Sequence, residues 1–134
     1  MNADISVMGV IESKYPVLVF SFNNCELHGC HLDGYKNNNV ALLDRLALID
    51  EYFENKSKVQ RYRIWLNIDD SLLSSVTIER IIQSLVRIED NIIKIAIIGA
   101  GNKKRHFEKI LKKSGFRKPS CFFSDAEAAK EWLV

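Results

Sequence analysis

The segment Ile92–Ile98 constrains the fold of this chain more than any other part of the sequence. It is a nearly continuous apolar run that is interrupted only by Lys94. A strand of this kind is typical of the centre of a sheet, because helices cover both of its faces. Gly99 and Gly101 follow directly and end the strand. The sequence therefore predicts a sheet that is covered by helices on both sides.

The rest of the chain alternates between strand and helix patterns. Short β-branched and aromatic runs predict strands at residues 5–11, 16–22, 62–68 and 121–123, and we expect the first two to pair antiparallel. Apolar residues spaced three and four apart predict helices at residues 40–55, around 78–88, at 102–114 and at the end of the chain. Residues 23–39 are polar and are predicted as a loop, with a brief third strand as an alternative.

Several polar residues precede the predicted helices and are candidates for N-caps. We predict that Asn39 caps the first helix, Ser74 or Ser75 the second and Asn102 the third. The last helix follows a Ser-x-x-Glu capping box that begins at Ser124. This order of elements requires right-handed parallel crossovers. We therefore expect an α/β fold in which helices pack against a single mixed β-sheet.

Composition restricts the class of protein. The chain has 134 residues, 47% of them hydrophobic, and a formal charge of +2, which is typical of one ordinary globular domain over residues 1–134. No apolar run reaches the roughly 18 residues of a membrane-spanning helix, and the amino terminus has no signal-peptide pattern. Three cysteines do not form a disulfide framework. We therefore expect a cytoplasmic protein with free thiols.

The order of elements and three local strings resemble one known family. The strings are IWLNIDDS at residues 64–71, KIAIIG at residues 94–99 and FFSDAEAAKEWL at residues 122–133. Together they are similar to the STAS family, the sulfate transporter and anti-sigma factor antagonist domains, in its stage II sporulation protein AA-like branch. The resemblance spans nearly the whole chain. It implies a non-enzymatic domain that switches protein partners, or in some relatives a domain that holds a nucleotide or an apolar ligand.

The same resemblance points to the turn at residues 69–75. In phosphorylatable members a serine in an Asp-Ser-Ser-Gly-like string begins the helix after the third core strand. The matching residues here are Asp70, Ser71, Leu72, Leu73, Ser74 and Ser75, preceded by Asp69, although the glycine is absent and two leucines separate the serines. We expect this turn to bind a protein partner, with an exposed Leu72 or Leu73 as apolar anchor and the two aspartates setting charge complementarity. Phosphorylation of a serine and simple helix capping both remain open.

A second candidate site follows the predicted strand at Ile92–Ile98. Gly99, Gly101, Asn102 and Lys103 join a strand to a helix, so their backbone amides could approach a phosphate. Lys104 occupies the third glycine position of a dinucleotide fingerprint, so a Rossmann site is not expected. The alternatives are a binding site for a single anion and an ordinary turn.

Two further groups of residues raise chemical alternatives. Cys25, His28, Cys30 and His31 are ligand-type side chains within seven residues, but a short segment rarely turns four side chains onto one zinc ion, and we expect no metal and no other cofactor. Basic residues dominate residues 103–118, where the only acidic residue is Glu108. Since apolar residues occupy the other face of that predicted helix, we expect a solvated surface and no nucleic-acid binding.

The sequence contains no catalytic constellation, so we do not expect an enzyme. The expected function is a regulatory or protein-interaction module. The alternative is a small-molecule carrier with an apolar pocket between sheet and helices, rimmed by residues 99–103. A homodimer is compatible with the predicted sheet edges.

Overall fold

The computed structural model of the protein describes residues 16–134. Within them, the strands are β1 (Val17–Phe22), β2 (Cys25–His31), β3 (Tyr62–Asn67), β4 (Ile92–Ile98) and β5 (Ser120–Phe123). The α-helices are α1 (Asn39–Glu54), α2 (Ser75–Arg87), α3 (Lys104–Lys113) and α4 (Ala126–Leu133), and short 3-10 turns lie at Glu89–Asn91 and Gly101–Lys103. The predicted strand at residues 5–11 lies outside the described residues.

The five strands form a single mixed sheet in the order β1-β2-β3-β4-β5. β1 pairs antiparallel with β2, and the other neighbours pair parallel. The predicted α/β class, with helices packed against one mixed sheet, is confirmed for this part of the chain. Because β2 to β5 are parallel, the loops that follow these four strands all leave from the same edge of the sheet.

The polar segment at residues 23–39 contains a full strand, so the alternative of a brief third strand is confirmed and the prediction of a loop is wrong for Cys25–His31. β2 pairs with β1 on one side and with β3 on the other. Asn23 and Asn24 form the connection between β1 and β2, with φ angles of 50° and 65°. Asparagine tolerates this left-handed conformation, which two-residue hairpin turns of type I′ require. The Asn-Asn pair is therefore the feature of the sequence that indicates a hairpin. The strand β2 lacks a clear strand pattern because it contains two histidines and two cysteines.

Each face of the sheet has its own apolar core. Ile64, Leu66, Ile95 and Ile97 belong to the larger core, which α1, α2 and α3 cover. On the opposite face Leu27, Trp65, Ala96 and Ile98 pack with Ala129 and Leu133 of α4. The central strands are thus buried on both faces, as the run at Ile92–Ile98 predicted.

The helix caps differ in part from the prediction. Ser74 caps α2 as expected, and its side chain accepts a hydrogen bond from the Thr77 amide. Asn38, and not Asn39, caps α1, while Asp125, and not Ser124, caps α4. Asn102 does not cap α3, because the chain first makes a 3-10 turn and Lys103 occupies the cap position without a side-chain hydrogen bond. Asn39 is therefore free to bond to another loop.

Candidate functional site

The loops after β3 and β4 bring the two predicted sites together at the carboxyl edge of the sheet. We call residues 69–75 and 99–103 the strand-end site. Gly99 has a φ of +85°, and a Cβ built on it would lie 2.5 Å from the Cβ of Asp69. Only glycine fits such a contact at such an angle without a shift of the neighbouring backbone. Close packing of backbone against backbone therefore joins the two halves of the site.

The turn at residues 69–75 is held by backbone hydrogen bonds to the loop that follows β2. The Gly34 amide donates to the Asp69 carbonyl at 2.8 Å, and the Lys36 amide donates to the Asp70 carbonyl at 2.9 Å. The Leu72 amide donates in return to the Lys36 carbonyl at 2.7 Å. These bonds extend the pairing of β2 with β3 beyond the regular strands. The turn is therefore an ordered surface, so a partner would not need to order it.

The three serines of the turn have different environments. The Ser71 hydroxyl donates to the Leu32 carbonyl at 2.7 Å and accepts from the Tyr35 amide at 3.2 Å. Ser74 caps α2. Ser75 is exposed at the first position of α2, where its Oγ lies 3.0 Å from Nε2 of His106. Ser75 is exposed and its hydroxyl bonds to another side chain, whereas the hydroxyls of Ser71 and Ser74 bond to backbone groups. A modifying enzyme could therefore reach Ser75 without breaking a hydrogen bond to the backbone.

Three exposed apolar side chains surround Asn39 beside this turn. Leu72, Val76 and Val40 are 68%, 69% and 73% exposed, and we call them the apolar patch. The Asn39 side chain accepts from the Ser74 amide and donates to the Leu72 carbonyl, so it ties the amino-terminal ends of α1 and α2 together. Of the two leucines that the sequence offered as an exposed anchor, Leu72 is exposed, whereas Leu73 is 3% exposed and lies in the core.

Charged side chains stand next to the apolar patch. Asp69 and Asp70 are exposed, as expected. Asp70 has a φ of 55° and its carboxylate lies 3.0 Å from the ammonium group of Lys36. Because both side chains of this ion pair are largely exposed, it contributes little stability.

An open cleft of about 410 Å³ begins where Asp69 meets Gly99. Gly101, Lys104, Phe122 and Phe123 line it further out. Of the predicted anion ligands, Gly99 and Gly101 lie in its wall, whereas Asn102 and Lys103 do not. The amides of Gly99 and Lys103 donate to the Phe123 and Ala100 carbonyls and are thus occupied. The cation of the cleft is Lys104.

The space between the sheet and helices α1 and α2 is nearly filled. A cavity of about 30 Å³ remains there, lined mostly by core side chains such as Leu46, Ile64 and Ile81. That volume holds about one water molecule. An organic ligand would therefore have to use an open cleft at the surface.

The four ligand-type side chains of β2 do not converge. Strand alternation places His28 and Cys30 on the α1 side of the sheet, whereas His31 lies against Trp65 on the α4 side. Among residues 16–134, no group of three His, Cys, Asp or Glu side chains is arranged to hold a metal ion. Burial lowers the pKa of His28 and raises the pKa of Cys30 to about 12, so both side chains favour their neutral forms.

Three residues at the strand-end site were not assigned to it from the sequence, although Lys104 was named beside the second candidate site and Asn39 as a helix cap. His106 and Lys104 come from α3, and Asn39 comes from α1. His106 and Asn39 bond to residues 31 and 33 positions away in the chain, so no local spacing could have predicted those contacts.

Comparison of the chain with protein-family models, curated proteins and solved structures gives no significant match. None of the helices in residues 16–134 combines the length and the apolar character needed to cross a membrane.

Proposed function

We propose that the protein is a non-enzymatic, cytoplasmic regulatory module that binds a protein partner through the apolar patch and the turn at residues 69–75. The proposal follows the resemblance to STAS domains of the anti-sigma factor antagonist type. The observation that carries it is the exposure of Leu72, Val76 and Val40 around one hydrogen-bonded junction, next to Asp69 and Asp70. Apolar anchors with a charged rim are characteristic of protein interfaces.

The energetics of the patch favour binding. Burial of one Val or Leu side chain contributes about 1.5 to 3 kcal/mol, so three anchors supply several kcal/mol to an interface. The hydrogen bonds from Gly34 and Lys36 already order the turn, which reduces the entropy cost of association. Asp69 and Asp70 would steer a partner that carries a basic patch.

Phosphorylation of Ser75 would give this module its switch. Its hydroxyl is exposed, and a phosphate there would lie at the amino terminus of α2 beside His106. A phosphate adds a charge of about −2 next to the anchors Leu72 and Val76, which opposes the burial of an apolar interface. Ser75→Asp should therefore weaken partner capture, while Ser75→Ala should preserve it.

The test is a capture experiment from host lysate with a matched control. The test variant carries Leu72→Ser and Asp70→Lys. The control carries Val59→Ser and Asp90→Lys, which make the same chemical changes away from the turn. Val59 is 82% exposed, and the two residues precede β3 and β4, so they lie at the end of these strands opposite to the turn at residues 69–75. We expect a partner that wild type and control capture equally and the test variant loses, with thermal midpoints nearly unchanged in all three. Equal capture by both variants would place the interface elsewhere.

A second candidate function is a carrier of a small anionic or aromatic molecule. The observation that favours it is the cleft of about 410 Å³, which Lys104, Phe122 and Phe123 line together with Gly99 and Gly101. Native mass spectrometry of protein purified from its host is the test. A carrier retains a ligand that Lys104→Ala loses, whereas an interaction module has the mass of the bare chain.

A further inference from the structure

The strand β5 has an unpaired edge. It is the last strand of the sheet, and no other element in residues 16–134 pairs with its outer side. The Pro119 carbonyl accepts a hydrogen bond from the amide of Ile95 in the middle of β4, and the Phe123 carbonyl accepts one from Gly99, which follows β4. Because a strand's backbone groups alternate in direction, the amides and carbonyls of Ser120 and Phe122 point outward. They form a template on which another strand can pair.

A groove runs between this edge and helix α3. Its volume is about 610 Å³, and Ser120, Cys121 and Phe122 form one wall. The floor contains buried Leu111 and half-buried Phe116. The Phe122 ring packs edge-on against buried Phe107, with ring centroids 5.7 Å apart, so this wall is firmly supported. The groove thus offers apolar contacts beside free backbone groups.

The other wall of the groove is strongly basic. Lys104, Arg105, Lys109 and Lys112 of α3 line it, together with a single acid, Glu108. None of the ion pairs found in residues 16–134 uses these four cations. The segment 103–118 holds eight of the 19 Lys and Arg residues but one of the 17 Asp and Glu residues, so it carries +7 and the rest of the chain −5. The positive charge of the protein is therefore concentrated in this segment, and four of its eight cations line the groove.

We propose that the α3–β5 groove binds an extended acidic segment of a protein partner, which adds to the sheet as a strand beside β5. Backbone pairing with Ser120 and Phe122 supplies affinity, and the cations of α3 select acidic side chains. A polynucleotide would meet the same positive charge, but its backbone does not match the alternating donors and acceptors of a strand edge, and Glu108 opposes a phosphate chain. The groove is separate from the apolar patch, so the two interactions succeed or fail independently.

A model peptide tests the proposal directly on the full chain. The probe has alternating glutamate and valine, is about eight residues long with blocked ends, and carries a fluorophore for anisotropy. Strand alternation puts all of its glutamates on one face, toward α3. Three matched peptides test charge and backbone pairing: one replaces glutamate by lysine, one methylates the valine amides and one methylates the glutamate amides. The valine amides face β5 if the added strand is parallel, and the glutamate amides face it if the strand is antiparallel. We expect at least about tenfold weaker binding of the lysine peptide and of one of the two N-methylated peptides.

Protein variants and hydrogen exchange locate the peptide. Lys109→Glu with Lys112→Glu should weaken binding about tenfold or more, whereas Lys58→Glu with Arg61→Glu makes the same charge change away from the groove and should not. The Ser120 and Phe122 amides should exchange quickly in the free protein and slowly with peptide bound. Because the Ser120 amide points away from β4, Ser120→Pro removes a donor from the free edge but no hydrogen bond between β5 and β4. This variant should also bind the peptide more weakly.

Three outcomes overturn the proposal. Undiminished binding of both N-methylated peptides, or no protection of the Ser120 and Phe122 amides, would reduce the effect to charge attraction. Tighter binding of an oligothymidylate of similar length than of the acidic peptide would make the groove a single-stranded nucleic-acid site. If the groove variant (Lys109→Glu with Lys112→Glu) and the control (Lys58→Glu with Arg61→Glu) lose binding equally, the net charge of the protein, and not the groove, attracts the peptide.

Discussion

Replacement of Gly99 by alanine tests the packing that holds the strand-end site together. The new Cβ would lie 2.5 Å from the Cβ and 2.6 Å from the Cα of Asp69. Ordinary contacts between carbon atoms are about 3.5 to 4.0 Å, so the Asp69 backbone must move by about 1 Å. Overpacking of this kind costs about 1 to 3 kcal/mol. Alanine at a positive φ adds about 1 to 2 kcal/mol.

Gly101 provides the matched control. It also has a positive φ, +57°, but nothing lies within 4 Å of the Cβ that alanine would add. Gly101→Ala should therefore show the conformational cost alone, and Gly99→Ala should be less stable than this control by about 1 to 3 kcal/mol.

Urea unfolding followed by the fluorescence of buried Trp65 measures the difference. With a denaturant slope of about 2 kcal/mol per molar, the midpoint of Gly99→Ala should fall about 0.5 to 1.5 M below that of Gly101→Ala. If the two variants unfold at the same urea concentration, the loop that carries Asp69 does not pack on the end of β4, and the two halves of the site are not joined.

Three further predictions concern individual side chains. Leu73→Ala should cost about 2 to 5 kcal/mol of unfolding free energy, and Leu72→Ala less than about 0.5 kcal/mol, by urea unfolding, because only Leu73 is buried. Burial lowers the pKa of His28 below 6.5, so the unfolded chain takes up the proton first. Stability should therefore fall as the pH drops below about 6.5, and His28→Phe should flatten this part of a curve of urea midpoint against pH. Burial raises the pKa of Cys30 to about 12, so a thiol reagent near pH 8 should modify the two half-buried cysteines and leave Cys30 unmodified until the protein unfolds.

The elements with a strong local pattern were predictable. β4 has the predicted bounds, and the inward stripe of Ile78, Ile81, Ile82 and Leu85 is buried in α2. β2 was not predictable in the same way, because cysteine and histidine carry no clear strand preference. Its burial is imposed by neighbours on both sides, β1 and β3.

The candidate site was predictable only in pieces. Asp69 to Ser75 and Gly99 to Lys103 were each singled out as strand ends, but their contact depends on the parallel order of β3 and β4. The caps were wrong by one position at Asn39 and Ser124, because several neighbouring polar residues can cap a helix equally well.

The sequence by itself determined the local elements and the two-sided burial of the central strands, because hydrophobic spacing acts between residues a few positions apart. Only the tertiary structure decided that Ser75 lies beside His106, that Asn39 joins two helix ends, and that the cations of α3 face a free strand edge. The first two contacts join residues 31 and 33 positions apart, and the third joins two different elements, α3 and β5. These contacts depend on how the helices pack against the sheet. Many core contacts together determine that packing, so no single sequence motif could have predicted the contacts.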